Sequence, residues 1–402
     1  MSSARKLTRL SPNFNKDRVM SRLEELIQRY CPDGVEYVKL GDILGVNRGR
    51  RLTKNQLSAD GRYFVYHGSK DTPLGKYSQY NVKGNTTIVV NTGGIGGVKF
   101  CDDDFWCSDG SFWIGHSPRL NDKFVYYYLS PKENYFASQK RVGGVPTIDR
   151  SVVENVEIPV PPMPVQEEIV RILDSFTELQ AELQAELQKR KQQYNYYRDN
   201  LLSPLNQGNW EEYSLKELCH YSKDRISAED VNEDNYVSVE NLLQNQQGKV
   251  RANNVPSNGN CIKYQPFDIL IGNIRPYLHK IWFSNCEGGT NGDVLCVRVN
   301  DNARQIITPQ FLFCILSSQS FFEYDNSFAR GAKMPRGDKQ KIMEYTFLVP
   351  PLAEQNRIVS ILDRFDKLTN DLTTGLPAEI EKRQQQYEYY RDRLLTFKRK
   401  GA

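Results

Sequence analysis

One segment of this chain occurs twice, and that fact limits the architecture more than any single motif. Pro161-Pro162-Met163-Pro164-Val165-Gln166, running into Ile169-Val170-Arg171-Ile172-Leu173-Asp174, returns 189 residues later as Pro350-Pro351-Leu352-Ala353-Glu354-Gln355, running into Ile358-Val359-Ser360-Ile361-Leu362-Asp363. Tyr194-Asn195-Tyr196-Tyr197-Arg198-Asp199 is answered by Tyr387-Glu388-Tyr389-Tyr390-Arg391-Asp392 at an offset of 193. A longer and more divergent stretch precedes each copy. Such a pattern describes one job done at two places, with helical elements holding the places apart.

Each Pro-Pro step is extended, because proline removes a backbone donor and biases its predecessor away from helix. Helices are predicted to begin near Glu167 and Asn356. In the first, Ile169, Ile172, Phe176, Leu179, Leu183, Leu187, Tyr194, Tyr197 and Leu201 form a 3,4 seam. In the second, the seam is Ile358, Ile361, Phe365, Leu368, Leu372, Leu376, Ile380, Tyr387, Tyr390 and Leu394. Its four extra residues fall among Thr373 to Glu379, so Gly375 and Pro377 should kink this helix or end and restart it. Neither stripe is stable facing water. The two copies are expected to pair antiparallel, giving pseudo-two-fold symmetry and an elongated molecule, in preference to each folding back on its own domain.

The divergent stretches, about 35–158 and 210–348, read as mixed, mostly β domains with a few helices. Thr86-Thr87-Ile88-Val89-Val90 is answered by Ile269-Leu270-Ile271, and Phe124 to Leu129 by Phe311 to Leu316. Pro146 and Pro335 stand fifteen residues ahead of Pro161 and Pro350. Ahead of the first domain, residues 21–30 are predicted as an amphipathic helix capped by Ser21, and residues 1–19 as a basic, disordered leader. Those residues hold no apolar core run, so they are no secretory signal.

The 402 residues suffice for two domains, and a formal charge of +4 permits a nucleic-acid partner without demanding one. The eight cysteines show no Cys-x2-Cys pair, and the four histidines are scattered, so no metal site is expected. Reduced cysteines and the lack of any run long enough to span a membrane point to the cytoplasm. There is no Gly-x4-Gly-Lys-Ser/Thr phosphate loop, and Gly93-Gly94-Ile95-Gly96-Gly97 reads as a turn between strands. Asp102, Asp103, Asp104 and Asp109 read as an acidic surface turn. No Asn/Asp-Pro-Pro-Tyr/Phe segment is present to hold a base for methyl transfer. No catalytic, cofactor-binding or metal-ligating residue is assigned to the chain.

What recurs instead is basic, glycine-flanked loops at matching places. The first domain offers Arg48, Arg50, Arg51 and Lys54, then Lys140 and Arg141, with Lys70 and Lys76 extending the surface. The second offers Lys223 and Arg225, then Arg330, Lys333 and Arg336, with Arg275, His279 and Lys280 beside them. Lysines neutralise phosphates, and arginines also grip guanine bidentately. On the helices, Tyr196, Arg198, Tyr389 and Arg391 are expected to face outward toward partner subunits.

With these marks in place, the chain resembles the specificity subunits of type I restriction–modification systems. The likeness runs from Met20 to Lys398 and rests on Leu23-Glu24-Glu25-Leu26-Ile27, the twin Pro-Pro-x-x-x-Gln segments, and Gly375-Leu376-Pro377-Ala378-Glu379-Ile380. The resemblance implies an α+β chain with two similar mixed α/β target recognition domains, at 20–158 and 205–348. Two long spacer helices, at 159–204 and 349–398, would pair as an antiparallel coiled coil. It further implies a non-catalytic subunit that reads a bipartite double-stranded DNA site and recruits two methyltransferase subunits and restriction/translocase subunits. S-adenosylmethionine, ATP and Mg would then sit on those partners, with none bound here. Two other readings remain open: a coiled-coil scaffold for proteins, and a DNA methyltransferase with built-in specificity. The first does not explain cationic loops placed alike in both domains, and the second lacks its motifs.

Overall fold

The structure, a computed structural model, describes residues 16–141, 144–202, 210–370 and 375–401. Its contacts divide the chain into two units, Met1–Glu182 with Lys382–Ala402, and Leu183–Glu381.

In the first unit the order is α1 (Lys16–Tyr30), β1 (Tyr37–Lys39), α2 (Leu40–Ile43), β2 (Val46–Arg48), β3 (Tyr63–Tyr66), β4 (Gly75–Tyr77) and β5 (Thr86–Val90). There follow β6 (Val98–Cys101), β7 (Trp106–Cys107), β8 (Ser111–Ile114), α3 (Asp122–Leu129), α4 (Glu133–Ser138), α5 (Arg150–Glu154), β9 (Glu157–Pro159) and the opening turns of α6 (Met163–Leu201). An antiparallel sheet of order β2-β8-β5-β6 carries the core, with β5 buried along its whole length. A β4-β3-β7 sheet and the pair β1-β9 complete the strands.

The second unit takes the remainder of α6, then β10 (Glu211–Ser214), α7 (Leu215–Leu218), β11 (Cys219–Tyr221), β12 (Arg225–Ser227), β13 (Tyr236–Val237), β14 (Asn260–Tyr264) and β15 (Ile269–Gly272). Next come β16 (Ile281–Phe283), β17 (Gly288–Thr290), β18 (Val294–Val299), α8 (Pro309–Leu316), α9 (Gln319–Phe328), α10 (Lys339–Met343), β19 (Thr346–Val349), α11 (Leu352–Asn370) and the start of α12 (Leu376–Leu394). Its main sheet, β11-β18-β15-β16, repeats β2-β8-β5-β6 strand for strand, and β10-β19 repeats β1-β9. The second sheets differ. Here four strands run β12-β14-β17-β13, although the parallel pair β13-β17 still matches β3-β7.

The expected counterparts therefore hold the same places in the two sheet orders. Ile88–Val90 of β5 and Ile269–Ile271 of β15 are apolar on both faces, as burial on both sides requires. Asn121 caps α3 by accepting from Lys123 N and Phe124 N, and Thr308 caps α8 by accepting from Phe311 N. Both helices then bury aromatic side chains, Phe124 in one and Phe311 in the other, at about 1.5–3 kcal/mol apiece.

The repeated Pro-Pro-x-x-x-Gln segment turns out to be a clip. Gln166 is fully buried, donates through Nε2 to Pro161 O (2.7 Å) and Arg119 O (2.8 Å), and accepts from Asn121 N (2.8 Å). Gln355 donates to Pro350 O (2.8 Å) and Ile306 O (2.7 Å), and accepts from Thr308 N (2.9 Å). One amide thus ties the long helix, its proline entry and the domain's N-capped helix together. It also explains why α6 and α11 begin at Met163 and Leu352, four residues before the predicted starts. Pro164 sits in the first turn, where its missing donor costs nothing.

Other boundaries also need correcting. Helix α1 begins at Lys16, so residues 16–19 are helical and Ser21 lies inside the helix; residues 1–15 lie outside the described residues. The second spacer is assigned as α11 and α12, with Pro377 in the first turn of α12, which is the end-and-restart alternative; Thr373 and Thr374 lie outside the described residues. Near the first domain the apolar stripe of α6 is wider than a two-helix seam, because Val170 and Leu173 are also buried against that domain's core. In α11 the buried apolar members are Ile358 and Leu362, while Ile361 is only partly covered.

The helices do pair within each unit. Phe176 stacks on Tyr390 (5.5 Å between centroids) and meets Tyr387 (6.5 Å), while Gln180 donates to Gln384 (2.7 Å). As the number rises on α6 it falls on α12, so this pairing is antiparallel. In the second unit Tyr197 of α6 stacks on Phe365 of α11 at 5.5 Å.

Candidate nucleic-acid interface

Two loops define the same rim in each unit. The first follows the edge strand β2 or β11. In the first unit Gly49 N donates to Ser111 O (3.1 Å) and Arg50 N to Cys107 O (2.9 Å), so the loop hugs the β7–β8 turn. A Cβ on Gly49 would collide with the Cys107 and Ser108 carbonyls, which is why glycine stands between the arginines. Trp106 Nε1 donates to Arg50 O (2.8 Å), and Leu52 is buried. Arg50, Arg51 and Lys54 are left pointing into solvent, without side-chain partners among the described residues. Arg48 is exposed and donates to Asp109 O (3.3 Å). The matching place in the second unit presents Lys223 and Arg225, both exposed.

The second loop is a hairpin. Arg141 pairs with Thr147 in one unit and Arg330 with Arg336 in the other, and each hairpin leans on the turn after the central strand through Thr92–Thr147 and Ile274–Arg336. The bracing repeats too. An Arg141–Asp149 ion pair in the first unit has its counterpart in Arg330–Asp338, at 3.8 Å, in the second. Both aspartates stand at the N-cap of the following short helix, α5 or α10. Lys140 and Lys333 remain exposed and unengaged among the described residues.

Several cations of the sequence-derived set are already committed. Lys70 donates to both Glu133 oxygens at 2.7 Å, and Glu133 also accepts from Val98 N, so this pair secures the Gly93–Gly97 turn. Lys76 is exposed over the Phe64 ring (5.4 Å). Arg336 reaches Asp293 (3.0 Å). Arg275 is exposed and held in the left-handed region by its N–H to Pro335 O (2.7 Å). His279 stacks on Phe322 at 4.3 Å; burial, then the charge of Arg198, holds it below the ordinary imidazole range. Lys280 turns inward to Val239 O, and burial lowers it as well.

Ser108, His67 and Asp109 lie together, but they form no nucleophilic relay. Ser108 Oγ (3.2 Å) and Asp109 Oδ1 (3.4 Å) both face the same ring nitrogen, Nδ1 of His67. A relay needs the two partners on opposite nitrogens. Ser108 Oγ instead accepts from Leu52 N (3.4 Å) and steadies the arginine loop.

The comparisons with known proteins fit this doubled rim. The family model described as type I restriction modification DNA specificity domain matches residues 32–190 and again 207–382. The chain belongs to that family. The specificity subunit of a type I restriction enzyme of Escherichia coli is 34% identical over 310 residues, covering 68% of this chain and 70% of its own. A putative type I restriction enzyme specificity subunit of Haemophilus influenzae is 29% identical over 394 residues, covering 90% and 96%. The crystal structure of the type I restriction–modification S subunit from M. genitalium superposes with a TM-score of 0.56 at 17% identity, over 90% of this chain and 96% of that one, and it shows the shared fold. Members of this family supply specificity, not catalysis.

For the helical residues expected to face partner subunits, the result is split. Tyr196 and Tyr389 are 65% and 61% exposed. Arg198 is not on that surface: it is 3% exposed, lies over the Tyr194 ring (5.5 Å), and bonds Gln246 Oε1 (3.1 Å) and Asp199 (3.2 Å). Its long stem packs where the helix meets the domain, and the guanidinium finds its acceptors there. Arg391 is less deeply covered, its side chain 16% exposed, and lies over Tyr387 at 5.6 Å. The sequence reading missed Gln166 and Gln355 as functional positions; their recurrence in both copies was the available signal.

Proposed function

We propose that this chain is the DNA sequence-specificity subunit of a type I restriction–modification complex, and that it reads a bipartite duplex site, one half with each unit. The observation that carries this reading is the doubled rim. The same fold presents cationic loops at the same two places twice, while the loop sequences differ. Like scaffolds with different loops recognise different half-sites. Free lysines on a rim contact phosphates and set register, and side chains between them read base edges.

Chemistry falls to partners on this reading. Two methyltransferase subunits bind the helical elements, where Tyr196 and Tyr389 offer large exposed contact area with a polar edge. Restriction/translocase subunits complete the assembly. S-adenosylmethionine belongs to the methyltransferase, and ATP and Mg to the translocase, in keeping with a sequence that has neither a phosphate loop nor a methyl-transfer segment. The complex works in the cytoplasm, where its substrate is.

Methylation mapping in cells with and without this gene tests the proposal. One bipartite methylated motif should vanish on deletion and return on complementation. An unchanged methylome rejects it.

A further inference from the structure

The two hairpins share an apolar tip. Val145 is 79% exposed and Met334 is 54% exposed, each immediately before a proline, Pro146 or Pro335. Among the positions shared by the two hairpins, Arg141 with Arg330, Pro146 with Pro335 and Asp149 with Asp338 are identical and have structural work to do. The tip is apolar in both without being the same residue. A single exposed apolar side chain needs no explanation on an ordinary surface. Here it recurs at the matched place in two units, on a hairpin that also carries an exposed lysine, Lys140 or Lys333, and whose direction is fixed. Proline holds its predecessor extended, and the Arg330–Arg336 pair is closed by two reciprocal backbone bonds of 2.9 Å.

We propose that Val145 and Met334 are base-contacting specificity residues, each packing on the C5-methyl group of a thymine in the major groove of its half-site. The inference rests on the DNA-specificity reading above and adds the atoms that read. A two-stranded ribbon fits the major groove, about 12 Å wide, and not the minor groove of about 6 Å. With the exposed and unengaged Lys333 of one hairpin, or Lys140 of the other, drawn to a backbone phosphate, the apolar side chain of the same hairpin is brought to the base edges. Thymine methyl is the apolar feature on that floor. The choice of Val in one unit and Met in the other sets how far the contact reaches, so the two half-sites need not share a thymine position.

The test uses the full chain co-expressed with its modification subunits and duplexes carrying the mapped target. Each thymine is replaced singly by uracil, which removes only the methyl. Wild-type affinity should fall roughly fourfold at one thymine per half-site, the loss expected for one buried methyl group. Met334→Ala should abolish that discrimination in the second unit's half-site, and Val145→Ala in the first's. Lys333→Ala should weaken thymine and uracil duplexes alike and keep their ratio. A wild type indifferent to every replacement, a half-site without thymine, or a Met334→Ala protein that still discriminates would overturn the inference while leaving DNA recognition intact. A complex that binds its mapped duplex no better than random DNA would instead overturn the specificity reading, and this inference with it.

Discussion

A cation on a protein rim acts on DNA only to the extent that its own fold has not already used it. Lys333 and Lys140 have no intramolecular partner among the described residues, whereas Arg141 is braced by Asp149 and Lys70 by Glu133. Lys333→Ala should therefore weaken binding to every duplex and lower the salt slope by about 0.9, as loss of one phosphate contact requires. Titration at several salt concentrations checks this; an unchanged slope would take Lys333 off the DNA. A different residue makes stability depend on pH. Asp325 is buried with neither oxygen bonded among the described residues, and burial pushes its carboxyl up to about 7. Its neighbour across Gly337 is the likewise unbonded Oδ1 of Asn273; a Gly337 Cβ would lie within 3 Å of both. The folded chain keeps the proton that the unfolded chain releases from about pH 4 upward. Stability falls as pH rises from there to about 7, and the penalty is full above it. Asp325→Asn should thus stabilise the protein at pH 8 by on the order of 2–4 kcal/mol, with the gain shrinking toward pH 4. Denaturant unfolding at the two pH values decides the matter. The sequence showed which cations existed and that they recur. It did not show which were spoken for, because Glu133 and Asp293 reach them across the fold and Asp149 only once the hairpin has closed.

At the level of elements, the repeat is explained by what a buried amide does. Removing Gln355 leaves Pro350 O buried without a partner and hands the part-buried Thr308 N and Ile306 O to water where it can reach them; an unmet buried group costs about 1–3 kcal/mol. Gln355→Ala should destabilise by about 2–4 kcal/mol. Gln355→Glu should do little better, since a carboxylate still accepts from Thr308 N but donates to neither carbonyl. Thermal unfolding that ranks the glutamate variant with wild type would refute the clip. The exposed tyrosines predict the opposite pattern. Tyr196→Ala with Tyr389→Ala should melt normally and recruit modification subunits poorly, and unchanged co-sedimentation would count against an outward role. Periodicity in the sequence located the helices, the apolar central strands and the turn at Gly93–Gly97, because each depends on local spacing. It placed the helix starts four residues late, since each Pro-Pro step was read as carrying the extended exit onward, whereas the carbonyls of Pro162 and Pro351 already accept from the N–H groups of Val165 and Gln166, or of Glu354 and Gln355, and open the first turn. It put Arg198 outside because its spacing matches Tyr196 more than the seam. A long amphipathic stem can instead lie inward once an acceptor such as Gln246, far off in sequence, is brought to it.

For the whole molecule the open quantity is the distance between the half-sites. Helix α6 is unbroken from Met163 to Leu201, and its 39 residues span about 58 Å. Its middle carries the polar repeat Glu178-Leu179-Gln180-Ala181-Glu182-Leu183-Gln184-Ala185, in which extra residues change length without touching either reading rim. Four added residues are close to one turn, about 6 Å, and one base pair advances DNA by about 3.4 Å. If the helix acts as a ruler, this insertion should lengthen the preferred gap by one or two base pairs and leave both half-site sequences unchanged. A two-residue insertion adds half as much length but rotates everything beyond it by more than half a turn, so joint recognition should be lost. Contrasting the two separates phase from length, which a single insertion does not do. Methylome sequencing of cells carrying each variant reads the outcome directly. An unchanged gap with four residues added would mean that DNA bending or a yielding joint sets the spacing. A functional two-residue variant would show that the units are not rotationally coupled through α6.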